Sequence, residues 1–188
     1  MTTSEAWPSR WLTVLTGSRS DSRIVAWVWR EAVASTDPDQ ARACLRESRE
    51  LSAALGYHSA FDLLWETGIA FLTGDQAATL EFGSRAIHDL QWAGNRQRMG
   101  FVLHMIAGTL AATRPDAAAI IRGAAEVQVG LPEKYAQLIN SILTAALGEE
   151  RARDLRARGA DLAWDQAIAY TLTQITQALS ELQSAAQP

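Results

Sequence analysis

Phe61-Asp62-Leu63-Leu64-Trp65-Glu66-Thr67-Gly68-Ile69-Ala70-Phe71-Leu72-Thr73-Gly74-Asp75-Gln76-Ala77-Ala78 carries two signals at once. Phe61, Leu64, Trp65, Gly68, Ile69 and Leu72 recur at three- and four-residue steps, the spacing that lines up one face of an α-helix. Gly74-Asp75 then breaks the chain and restarts it, and Leu80, Ile87 and Leu90 continue the helical spacing to a second break near Gly94. The stretch therefore predicts two helices joined by a tight turn.

The same grammar extends in both directions. Upstream, Ile24, Val25, Val28 and Ala32 mark a helix with Trp27 and Trp29 adding bulk. Asp37-Pro38-Asp39-Gln40 reads as a start signal for the next helix, which runs through Leu45 and Leu51 to Gly56. Downstream, a helix over 101–113 is followed by Pro115-Asp116. Another then carries Ile120, Ile121, Ala124 and Val127, and is expected to end at Gly130. Leu131-Pro132 opens a helix bearing Tyr135, Leu138, Ile139, Ile142 and Leu143. A short charged helix over 149–158 is expected to stop at Gly159, and a last helix carries Ala167, Ile168, Leu172, Ile175, Leu179 and Leu182. No stretch alternates as a half-buried strand would, so the expected fold class is all-α.

The chain also resembles itself. At an offset of 36, Asp39-Gln40-Ala41 recurs as Asp75-Gln76-Ala77 and Ser48-Arg49 as Ser84-Arg85. At an offset of 40, Gly68, Thr73, Ala77, Ala78 and Gly83 fall on Gly108, Thr113, Ala117, Ala118 and Gly123. Three helical hairpins follow, over 22–56, 58–94 and 97–130, with small residues where paired helices approach closely. A hairpin hides only part of its apolar stripe alone, and stacking on the next hides more. The expected organisation is an extension over 1–21, hairpin repeats over 22–130, C-terminal capping helices of the same domain over 131–183, and a tail over 184–188.

Leu64, Gly68, Phe71, Gly74-Asp75 and Ala86 sit near the large, Gly, aromatic, turn and Ala positions of tetratricopeptide repeats, and the pattern resembles that family. The spacings of 36 and 40 exceed the family's usual length, Ala78 falls beside the first small position of the second helix, and Ala111 replaces the aromatic in the third hairpin. The resemblance implies a right-handed stack of about three hairpins closed by C-terminal helices. More widely, residues 36–175 resemble the C-terminal helical-repeat region of actinobacterial regulators that join a signal-transducing ATPase module to a LuxR-type DNA-binding or adenylate cyclase domain. The match is most specific at Thr113-Arg114-Pro115-Asp116-Ala117-Ala118, Ala145-Ala146-Leu147-Gly148-Glu149-Glu150 and Leu162-Ala163-Trp164-Asp165-Gln166-Ala167-Ile168-Ala169-Tyr170. Ala163 stands where that family typically has a helix-capping Ser or Thr.

The 188 residues are 48 % apolar and 20 % charged with a net charge of −4, a balance that offers no basic face for nucleic acid. Sixteen Arg stand beside the single Lys134, a bias of GC-rich genomes. Cys44 is alone and no apolar run reaches a bilayer's width, so a cytoplasmic protein without membrane contact is expected. No G-x-x-x-x-G-K-[ST] loop, H-E-x-x-H pair or G-x-S-x-G elbow occurs, and neither an ATPase core nor a cyclase domain fits beside the repeats. The expectation is a non-enzyme with no cofactor, metal or catalytic residue.

Individual side chains suit plain structural roles. His104 lies on an apolar helix face as a satisfied core histidine, Asp37 and Asp39 cap a helix, and Cys44 is a buried thiol. Arg151, Arg153, Arg156 and Arg158 alternate with Glu149, Glu150 and Asp154 on a solvated, ion-paired helix.

In tetratricopeptide stacks the first helix of each hairpin lines the concave groove. The register through Gly68 and Gly108 places Trp65 and Met105 at its centre, with Asp62, Ile69 and Thr109 nearby, and the first hairpin offers Trp29 and Val33. Trp29, Trp65 and Met105 make an apolar row. Either it packs against neighbouring helices, or it receives another protein's amphipathic helix or a second copy of the chain. Trp7 and Trp11 offer a further cover or dimer contact. The expected function is a protein–protein interaction or regulatory module, with homodimerisation as one form. The alternatives are a ligand-sensing part of a transcriptional regulator and a small enzyme with an unrecognised site.

Overall fold

A computed structural model describes Asp39, Arg42, Ala43, Leu45, Arg46, Glu50, residues 62–131 and residues 133–185. The expectations for Trp7, Trp11, Trp29, Val33, Asp37 and Cys44 lie outside the described residues. The chain divides into two compact units, Met1–Ala43 and Cys44–Pro188. In the first, Arg42 reaches back one turn to Asp39 at 3.1 Å. The second holds seven helices among the described residues, with no strand: α1 (Asp62–Leu72), α2 (Gln76–Trp92), α3 (Arg96–Leu110), α4 (Pro115–Glu126), α5 (Glu133–Leu147), α6 (Glu149–Ala160) and α7 (Trp164–Ala185). No described helix is long and apolar enough to cross a membrane.

The junctions follow from a few residues. Gly74 and Gly94 take the left-handed conformation, φ 73° and 67°, that an L side chain resists. Around each, the chain closes its helix in the same way. The Asp75 N–H donates to the Ala70 carbonyl at 3.0 Å and the Gly74 N–H to Phe71 at 3.2 Å. Asn95 donates to Leu90 at 2.9 Å and Gly94 to Gln91 at 3.0 Å. Asp75 and Asn95 then cap the next helix, accepting from the N–H groups of Ala78 and Arg98 at 3.0 and 3.1 Å. Because Asn95 caps, α3 begins at Arg96, five residues before its apolar run starts at Phe101. Pro115 opens α4, and Ala163 lacks a capping oxygen, so Gln166 reaches back to accept from the Ala163 N–H at 3.3 Å.

From α1 to α4 each helix packs on the next along the chain, and α1 also touches α3. Leu64, Leu80, Ile87, Leu103, Ile106 and Ile121 are fully buried in this part of the core. After α4 the order changes. The most extensive contact among the described helices is between α4 and α6, while α5 touches both to a lesser extent. Gly123 and Gly159 are the reason. A Cβ on Gly123 would come within 2.8 Å of the Arg156 Cα, and one on Gly159 within 3.0 Å of the Ile120 Cα, so the two backbones meet directly. Gly159, expected to stop its helix, instead lies buried within it, and α6 runs on to Ala160. The helix α7 crosses back over α2 and α4. Arg114, at the α4 N-cap, holds it with hydrogen bonds to Gln174 at 3.0 Å and Gln177 at 2.9 Å and an ion pair to Glu181.

Candidate functional site

The groove candidates occupy α1 and α3. Trp65 and Ile69 on α1 keep 9 % and 7 % of their surface and Met105 on α3 keeps 3 %, so all three are buried. Asp62 and Thr109 are half-buried, and the Thr109 hydroxyl donates to the Met105 carbonyl one turn earlier at 3.0 Å. Beside them Gly108 brings α3 close to its neighbours: a Cβ there would lie 2.7 Å from the Phe71 ring and 3.3 Å from Ile139 of α5. The helices that carry these described candidates touch one another, and Trp65, Ile69 and Met105 are packed rather than open to water.

A polar cluster that the sequence did not suggest lies between α3, α4 and α6. His104 is fully buried on α3, where its Nε2–H donates to the Val129 carbonyl at 2.8 Å and Nδ1 accepts from Arg122 Nη1 at 2.6 Å. That tautomer uses both ring nitrogens and leaves no lone pair for a substrate or metal. Burial, opposed by the Val129 hydrogen bond and aided by the Arg122 charge, lowers the imidazole pKa to about 4. Arg122 retains 2 % of its surface, and burial also lowers its pKa. Its partner is Glu126, one turn on, at 3.1 Å. Glu126 in turn faces Arg156 of α6 at 3.8 Å, and Arg156 reaches Asn140 of α5 at 3.4 Å. A buried guanidinium is tolerable where a carboxylate and an acceptor nitrogen meet it. The Arg122–Glu126 spacing is legible in the sequence, but its union with His104, eighteen residues away, needs the α3–α4 packing.

On the basic helix α6, Arg151, Arg153 and Arg156 make ion pairs. Arg151 crosses to α4 and grips Asp116 with two hydrogen bonds, 3.1 and 2.6 Å, which holds the Asp116 carboxyl below its ordinary range. Arg153 pairs with Asp154 at 3.2 Å and, more loosely, with Glu150 at 4.0 Å. The pairs thus run between neighbouring residues, along one turn and across helices. Among the described residues no three His, Cys, Asp or Glu side chains gather as a metal-ligand group.

The outer face of α2 differs from all of these. Leu80, Gly83, Ala86, Ile87 and Leu90 are buried, and the opposite face carries exposed Glu81, Arg85, His88, Asp89 and Trp92. Trp92 keeps 94 % of its surface, far more than the other exposed large apolar side chains, Leu72, Val127 and Leu138. The signal for it was present: once Leu80, Ile87 and Leu90 fix the buried side, 100° per residue puts Trp92 opposite.

No family model matches the chain, and neither the curated proteins nor the solved structures contain a match.

Proposed function

We propose that this chain is a non-catalytic protein–protein interaction and regulatory module, built on tetratricopeptide-like hairpins and related to the sensor arm of the regulators it resembles. The hairpin reading draws support from the consecutive packing of α1 to α4, the direct α1–α3 contact, and glycines at close approaches on α2, α3 and α4. The interaction reading is carried by one observation, the exposure of Trp92 beside Arg85, His88 and Asp89 on the outer face of α2. A large ring left almost wholly in water adds nothing to the core. Trp is enriched at protein interfaces, where its body is buried and its N–H finds an acceptor. The partner is another protein, met on this face, and the buried row of Trp65, Ile69 and Met105 supports the stack from within.

The test is a photo-crosslinking residue at Gln91, exposed beside Trp92, in the full chain expressed in its native host. Crosslinked protein that disappears when Trp92→Ala is added supports the reading. Absence of any crosslinked species, to another protein or to a second copy, contradicts it.

A further inference from the structure

We infer that α7 is an exchangeable arm: its seat on α2, α3 and α4 accepts the α7 of a second copy of this chain, and the corner between α6 and α7 is the hinge. This contact is separate from the Trp92 face and does not rest on it.

The corner is built unlike the other junctions. Gly74, Gly94 and Gly148 turn the chain at positive φ after α1, α2 and α5, Pro115 opens α4, and Pro132 stands in the link before α5. Asp161-Leu162-Ala163, between α6 and α7, holds neither Gly nor Pro. Helical bonding runs on into it. The Asp161 N–H donates to the Ala157 carbonyl at 3.1 Å and the Leu162 N–H to Gly159 at 3.2 Å, with Asp161 in the right-handed helical region. Beyond the corner, the first bond of α7 runs from the Ala167 N–H to the Ala163 carbonyl at 2.9 Å. The N–H groups of Trp164, Asp165 and Gln166 therefore have no helical acceptor, and Ala163 has no side-chain oxygen to offer one. Continued straight, the helix would give these three groups the carbonyls of Ala160, Asp161 and Leu162. Leu and Ala favour that state, so the bend is held by what α7 packs against and not by stop and start signals of its own.

The seat suits an exchange. Ala167, Ile168, Thr171, Ile175 and Ala178 are the buried residues of α7, and only the two Ile are large. The Thr171 hydroxyl is satisfied within α7, donating to the Ala167 carbonyl at 2.8 Å. Arg114 adds the polar tie, through Gln174, Gln177 and Glu181. The α7 of a second copy carries the same side chains in the same order. A reciprocal dimer regains every one of these contacts and needs no new complementary surface. Straightening adds helical bonds at the hinge, and the lost freedom of two separate molecules opposes them. Closed monomer and exchanged dimer thus stand in an equilibrium set by concentration, and it is slow because α7 must leave one seat before taking another.

The test is a charge exchange at the tie, read by sedimentation of the full chain at about 200 µM. Arg114→Glu sets two carboxylates together and Glu181→Arg sets two guanidiniums together, so each variant alone loosens its own α7. In an exchanged dimer of one variant with the other, the first seat joins the two substituted positions as an ion pair. The second seat keeps the native Arg114–Glu181 pair. After prolonged incubation together the two variants are expected to associate about tenfold or more tightly than either does alone. Both substitutions in one chain rebuild the tie within the monomer, and that chain is expected to match the wild type in mass and circular dichroism. Ala163→Ser supplies a capping oxygen to the bent corner only. Added to both variants, it is expected to weaken association of the mixture by about fivefold or more. Monomer mass in the mixture overturns the inference. So does a dimer that either variant forms equally well alone, or one that Ala163→Ser leaves unchanged.

Discussion

His104 shows how much a single buried side chain depends on its company. It stays neutral in the folded chain because burial and the Arg122 guanidinium both oppose a second proton, and its pKa falls from 6.5 to about 4. Between those values the unfolded chain holds the proton and the folded chain does not. Stability is therefore complete above about pH 6.5, falls as pH drops toward 4, and levels off below, with a total loss of about 3 kcal/mol from this group. Urea unfolding between pH 7.5 and pH 4.5 reads this directly, and His104→Gln flattens the dependence in that window. An unchanged slope in the variant would assign the effect to other groups. His104 is legible as a core histidine because it sits among apolar neighbours at helical spacing. Arg122 and Glu126 are not legible as its company, since nothing local to α4 tells which helix covers it.

At the scale of elements, the α4–α6 crossing is fixed by backbone contact at Gly123 and Gly159. A methyl group at either position meets the opposing main chain, which cannot swing aside as a side chain would. Gly123→Ala and Gly159→Ala are each expected to destabilise by about 2–4 kcal/mol despite alanine's better helix propensity. Gly83 is the control: a Cβ there would lie 3.2 Å from the end of the Ile106 side chain and not against a main chain. Gly83→Ala is therefore expected to change stability much less, and denaturant midpoints for the three variants settle the ranking. The crossing helix α7 is held by Arg114. Arg114→Ala removes its bonds to Gln174, Gln177 and Glu181 and is expected to cost about 1–2 kcal/mol, with faster hydrogen exchange confined to α7. Uniformly faster exchange would count against a local tie. Turns were the most legible elements: Gly74-Asp75 and Gly94-Asn95 each carry the left-handed residue and the next cap in adjacent positions. The role of Gly159 is not legible in sequence, because a glycine that ends a helix and one that admits a neighbouring backbone look alike there.

At the scale of the molecule, helix periodicity made the all-α class legible, because apolar stripes at three- and four-residue steps leave little choice. The order of packing was legible through α4 and not after it, since α6 skips past α5 to meet α4 through a contact that carries almost no side-chain signature. The groove register assigned Trp65, Ile69 and Met105 to neighbouring helices. It could not show that these side chains are buried, which depends on what lies over them. Trp92 drew no notice in that register because it belongs to the outer face. In the proposed role this ring contributes to contact and nothing to the core, and Trp92→Ala separates the two. Thermal unfolding is measured beside association of the full chain with its partner on this face. The expected result is a melting temperature within about 1 °C of the wild type and association weakened by about tenfold or more. A melting temperature lowered by about 5 °C or more with association unchanged would place the ring in the core and contradict it.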